Sequence, residues 1–155
     1  MSSSLTPYQW LAEALRGNPS LFAESATNFN EEDLWVAGQE NGVLSLISQK
    51  LSHPEHADAV TAMFRNRLQK YAMNAAAREL LIQHELRKTL AEFAKANLQF
   101  LLIKGTPLGY THYSDPYLRN RCDTDILFPH REAAEHAWQA LEPLGYSRPN
   151  AVGRE

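Results

Sequence analysis

Apolar residues recur every three to four positions through most of the first 95 residues, a spacing that predicts a succession of helices. Thr6-Pro7 supplies an N-cap followed by proline at the first helical position, Trp10, Leu11, Ala14 and Leu15 give an inward face, and Gly17 with Pro19 ends the run. Asn30 opens a second helix, and Glu31, Glu32 and Asp33 suit its positive end. Leu34, Trp35 and Ala37 carry it to a break or kink at Asn41-Gly42. Val43, Leu44, Leu46, Ile47 and Leu51 form one face of a short helix ending near Ser52, followed by a loop over Ser52-His53-Pro54. Residues 55–96 read as one or two long helices, whose Leu80, Ile82, Leu86, Leu90 and Phe93 form a stripe expected to be core or a helix–helix seam.

The period then changes. Gln99-Phe100-Leu101-Leu102-Ile103 is short and apolar, the pattern of a buried strand. Lys104-Gly105-Thr106-Pro107 ends it, with Pro107 suited to the first turn of a helix. Ser114-Asp115-Pro116 is turn chemistry, and residues 124–128 read as a second strand. Pro129 opens a helix over residues 130–144, which turns Ala134, Ala137, Trp138 and Leu141 inward and closes at Gly145-Tyr146. The expected class is α+β: a helical region over residues 1–96, then an αβ region over residues 97–155.

Composition narrows the function classes. The chain has 155 residues, 44% hydrophobic and 21% charged, with a net charge of −3, which is the profile of a globular domain. That acidic balance argues against non-specific nucleic-acid binding, which needs a basic surface. One cysteine, Cys122, excludes an intramolecular disulfide and a Cys-rich zinc site. No apolar run approaches the roughly 20 residues of a membrane span, and the N-terminus has no export signal, so the expected compartment is the reducing cytoplasm. The histidines show no metal spacing beyond the loop pair His53 and His56.

The candidate chemistry lies in the last third of the chain. Asp123 and Asp125 flank one residue, so on a strand both side chains point to one face, about 6–7 Å apart at Cα. Two carboxylates so close repel unless a cation lies between them, and Mg²⁺ in phosphoryl transfer is held by one or two carboxylates plus substrate phosphates. The preceding element adds a phosphate-binding feature: a strand ending in Gly105-Thr106 and turning into a helix can present backbone amides, a hydroxyl and a positive helix end. Tyr110, Tyr113 and Tyr117 could stack on a nucleobase or pack over the sheet.

Leu102-Ile103-Lys104-Gly105-Thr106-Pro107-Leu108, followed by Tyr113, Asp115-Pro116, Arg119 and Asp123-Thr124-Asp125-Ile126-Leu127, resembles the uncharacterised bacterial nucleotidyltransferase family of the DNA polymerase β-like superfamily. Upstream, residues 41–47 are similar to that family's apolar Gly-Val helix, and downstream Leu144-Gly145-Tyr146 matches its Leu-Gly-Tyr ending. The resemblance implies a helical bundle leading into part of a polymerase-β-type core with a small mixed sheet. It further implies that Asp123 and Asp125 bind metal and are catalytic, and that Gly105 and Thr106 hold the triphosphate. Lys104 and Arg119 match basic positions suited to phosphate. Their alternative is a local ion pair with Asp115 or Asp123. The superfamily's third carboxylate, on a later strand, has no counterpart before Glu155, and Arg121-Cys122 stands where the family more often has a small residue.

The expected function is Mg²⁺-dependent transfer of a nucleoside monophosphate from an NTP to an acceptor hydroxyl. The alternative is a non-catalytic module of the same fold acting in binding or oligomeric assembly, with a second copy or a longer parent protein as its setting.

Overall fold

The computed structural model describes residues 5–17 and 30–148. In chain order these form α1 (Pro7–Arg16), α2 (Glu31–Glu40), α3 (Leu44–Leu51), α4 (Ala62–Lys95), β1 (Leu101–Ile103), α5 (Gly105–His112), β2 (Asp125–Leu127) and α6 (Arg131–Leu141). Short 3-10 turns lie at Pro54–Ala59, Pro116–Leu118 and Glu142–Leu144. The protein is thus mostly helical with a small sheet. Two compact units can be told apart, Met1–Glu79 with Leu108–Cys122, and Leu80–Pro107 with Asp123–Glu155. Pro19 and residues 149–155, which entered the sequence reading, lie outside the described residues.

In the first unit, local chemistry sets the helix ends. Thr6 Oγ1 accepts from the Gln9 amide at 3.3 Å while Gln9 Oε1 accepts from the Thr6 amide at 2.9 Å, a reciprocal cap, and Gly17 closes α1 with φ of 80°. Asn30 Oδ1 caps α2 by accepting from the Glu32 amide at 3.0 Å. At Asn41-Gly42 the helix stops rather than kinks, because Gly42 takes a φ of 66°. Leu44, Ile47 and Leu51 recur on one face of α3 and are buried with Trp10, Leu34 and Leu68. Each such side chain contributes about 1.5–3 kcal/mol by leaving water. Gly38 permits this packing: a Cβ there would stand 2.5 Å from Leu44 Cδ2. Trp35 meets Phe64 and Tyr71 edge-on, with the Arg67 guanidinium 3.8 Å above its ring.

The long helix expected over residues 55–96 is one helix, starting later than its periodicity suggested. Val60 is extended, and Thr61 caps α4 by accepting from the Phe64 amide at 3.2 Å. Glu31 secures that cap, accepting from the Thr61 amide and hydroxyl, each at 2.7 Å. At the other end Asn97 takes a φ of 53°, while its amide bonds to Ala94 O and that of Leu98 to Phe93 O, the paired bonds of a left-handed helix stop.

In the second unit, β1 and β2 pair antiparallel, with Leu101 opposite Leu127, Leu102 opposite Ile126 and Ile103 opposite Asp125. The mixed sheet expected above is, among the described residues, this two-stranded antiparallel one. β1 is also less buried than its apolar run predicted: Leu101 is 61% exposed, and its cross-strand partner Leu127 54%. A continuous apolar run signals burial on both faces in a parallel sheet, whereas a short antiparallel pair needs only one face covered. On the covered side Phe93 of α4 meets Phe100 and Phe128 with ring centres 5.4 and 5.6 Å away. The stripe on α4 is correspondingly graded, with Phe93 buried, Ile82, Leu86 and Leu90 half-buried and Leu80 exposed.

α6 is shorter than expected. His130 is its N-cap, accepting through Nδ1 from the Ala133 amide at 3.2 Å. The α-helix ends at Leu141 because Pro143 has no amide to continue the ladder, and the chain tightens into a 3-10 turn. Ala133 and Ala137 are its buried residues, while Ala134 is exposed.

Candidate functional site

The register of the sheet assembles the site. Because Ile103 lies opposite Asp125, the end of β1 and the start of β2 share one end of the sheet. Lys104-Gly105-Thr106 therefore leaves the sheet where Asp123-Thr124-Asp125 enters it. The left-handed step at this junction falls on Lys104, with φ of 58°, and not on the glycine that follows, which starts α5.

Lys104 Nζ donates to Asp125 Oδ1 at 2.8 Å. The lysine side chain is 69% exposed and that of Asp125 28% exposed. The hydrogen bond to Asp125, and then the charge of Asp125, holds the ammonium above the ordinary lysine range, and the charge of Asp123 adds to it. Asp123 is exposed and precedes the strand, which begins at Asp125 rather than at residue 124. Of the alternatives weighed for Lys104, an ion pair is present, but its hydrogen-bonded partner is Asp125 and not Asp115 or Asp123.

Thr106 is buried, and its hydroxyl donates to Thr124 Oγ1 at 3.3 Å. This bond fastens the first turn of α5 to the residue between the two aspartates. The hydroxyl is turned inward, so the groups this turn can offer an anion are backbone amides, which at a helix N-terminus have no intrahelical partner. The next strand position, Ile126, points to the opposite face and lines an apolar cleft of 460 Å³ with Leu81, Leu86, Leu141 and Tyr146. Tyr146 is anchored there by its hydroxyl, 3.2 Å from Thr89 Oγ1.

Arg119 belongs to the first unit, where it follows the turn Pro116–Leu118, and its Nε is buried with no hydrogen-bond partner among the described residues. The same unit holds a cluster that sequence reasoning did not assemble. Arg121, noted only as a departure from the family pattern, is buried against Glu79 of α4. Its Nη2 donates to Glu79 Oε1 and, at 3.0 Å, to the Tyr110 hydroxyl, which in turn donates to Glu79 Oε1 at 2.9 Å. Burial first, then the bond to Glu79, pushes the Tyr110 phenol above its usual range. Tyr110 is 40% exposed, and the partners of its hydroxyl are this ion pair. The available signal was a lone Glu79 on a helix face facing an Arg many residues away, which no local pattern links.

Among the described residues, no group of three or more His, Cys, Asp or Glu side chains stands close enough to hold a metal ion. His53 and His56 meet as rings, 6.4 Å apart, and Cys122 is an exposed thiol. No helix of the described residues is long and apolar enough to cross a membrane. No curated protein and no solved structure shows significant similarity to the chain. A family model, that of an uncharacterised nucleotidyltransferase, matches residues 27–154, a span that takes in α2 through α6 and both aspartates. The chain belongs to this uncharacterised nucleotidyltransferase family.

Proposed function

We propose that the chain contributes the metal- and triphosphate-binding half of a polymerase-β-like site, which transfers a nucleoside monophosphate from an NTP to an acceptor hydroxyl. The observation that carries this reading is the pairing of Ile103 with Asp125, which brings the Lys104-Gly105-Thr106 turn and the aspartates to one end of the sheet. In this reading residues 97–155 are the first part of the transferase core and residues 1–96 its helical support.

The donors suit Mg²⁺ that arrives with its nucleotide. Asp123 and Asp125 offer hard oxygen ligands, one exposed and one half-buried, and such an ion takes one or two carboxylates with substrate phosphates completing its shell. Asp125 already holds a cation, the Lys104 ammonium, which shows the polarity the position accepts. Held there, Mg²⁺ would neutralise phosphate charge as pyrophosphate leaves. The chain's own groups bind and orient: the amides of Gly105 and Thr106 receive triphosphate oxygens, and Lys104 neutralises them.

Calorimetric titration with a non-hydrolysable NTP, with and without Mg²⁺, tests this directly. The parent should bind in a metal-dependent way, and Asp123→Ala/Asp125→Ala should lose at least about tenfold in affinity, as expected when charge-assisted contacts vanish. Equal metal-dependent binding by parent and double variant would refute the site assignment. A second reading, assembly through the sheet, draws on the exposed cross-strand pair Leu101 and Leu127. Under that reading sedimentation gives a defined oligomer that Leu127→Lys dissociates.

A further inference from the structure

We infer that the Lys104 ammonium is a resident counter-cation of the aspartate pair, standing where a divalent ion binds and yielding to it when nucleotide arrives. The inference rests on the assignment of Asp123 and Asp125 as metal ligands made above.

Three features carry it. The first is position: Nζ lies 2.8 Å from Asp125 Oδ1, at the end of the sheet where the segment with both aspartates enters β2. Two carboxylates left without a cation repel each other, so an internal ammonium stabilises the nucleotide-free chain. The second is backbone geometry. Lys104 adopts a left-handed conformation that non-glycine residues rarely take, although Gly105 beside it could adopt one without strain. A residue with a long cationic side chain thus occupies the one step of this turn that disfavours it. The third is release. With the lysine side chain mostly in water, the ion pair holds weakly, and the flexible stem starts at the residue just before α5. Once displaced from Asp125, the ammonium can turn to a phosphate at that helix end.

The consequence is a change of sign: Lys104 opposes a metal ion that comes alone and favours one that comes with a nucleotide. The test uses the full chain and two probes, Mn²⁺ alone followed by electron paramagnetic resonance, and Mg²⁺ with a non-hydrolysable NTP followed by calorimetry. Lys104→Met should bind Mn²⁺ about three- to tenfold more tightly than the parent, through the loss of a competing exposed charge. It should bind Mg²⁺–NTP about tenfold more weakly, through the loss of a charge-assisted phosphate contact. Lys104→Gly, whose backbone suits the left-handed step, should repeat both changes and guards against a folding defect in the longer variant. Adding Asp125→Asn should cancel the gain in Mn²⁺ affinity.

Equal Mn²⁺ affinity in the parent and both Lys104 variants, with Asp125→Asn still weakening it, would overturn the counter-cation role and leave the metal-pair reading standing. Weaker binding of both probes would mark Lys104 as merely structural and overturn it too. Absence of Mn²⁺ binding and of metal-dependent NTP binding in every form would overturn both.

Discussion

Arg121 and Glu79 are each nearly removed from solvent, and their pairing is strong only while both are present. A charge left alone in such a place is costly, whereas an apolar pair of similar size is tolerated. Arg121→Met should therefore lower stability by about 3–5 kcal/mol, read by urea denaturation, and Arg121→Met combined with Glu79→Gln should recover much of it. A cost no larger in the single than in the double variant would show that the pair is not energetically coupled. Tyr110 gives the pH dependence. Its folded pKa is raised, so the neutral phenol is favoured in the folded chain, and its contribution is complete below the ordinary tyrosine value of 10.0. It is lost as pH rises through the folded value. Tyr110→Phe should cost about 1 kcal/mol near neutrality, and should flatten the loss of stability above pH 10 relative to the parent. Comparison with the parent matters, because Tyr8, hydrogen-bonded to Glu40, is also raised. An unchanged alkaline slope would remove Tyr110 from this account.

At the scale of elements, what was legible in the sequence was whatever a few neighbouring residues decide. Thr6-Pro7, Asn30 and Gly42 set helix ends through their own side chains or their own φ, so their effect could be read from the residues themselves. Thr61 carries the same kind of signal, capping α4 through its own hydroxyl six residues after the expected start at residue 55. Features that depend on a distant partner were not legible. The apolar runs of β1 and β2 do not say which face is covered, and Leu101 and Leu127 are exposed. Ala133 and Ala134 are indistinguishable until the helix's neighbours are known. The left-handed Lys104 was hidden by an adjacent glycine, the residue from which such a step is normally expected. Gly38 is another such case. It looks like an ordinary flaw in a helix, yet a Cβ there would meet the Leu44 side chain at 2.5 Å. Since Leu44 is buried and cannot swing clear, Gly38→Ala should cost about 1–3 kcal/mol despite its better helix propensity, read as a lower melting temperature. A rise in that temperature would mean that Leu44 repacks freely.

For the molecule as a whole, family membership and the location of the motifs were readable, because Lys104 to Leu127 holds its pattern in one continuous stretch. How the chain is divided among cores was not, since the first unit joins Met1–Glu79 to Leu108–Cys122 across a stretch of sequence that belongs to the second. That interleaving bears on the order of events during synthesis. Glu79 is made 42 residues before Arg121. At the roughly 5–20 residues per second of translation, it emerges some two to eight seconds ahead of its cation. Until then the middle of α4 carries a carboxylate that must stay in water. The core residues from Trp10 to Leu68 are all made before Leu80, so only the cluster around Glu79 has to wait until the strand-bearing segment Leu80–Pro107 has been synthesised.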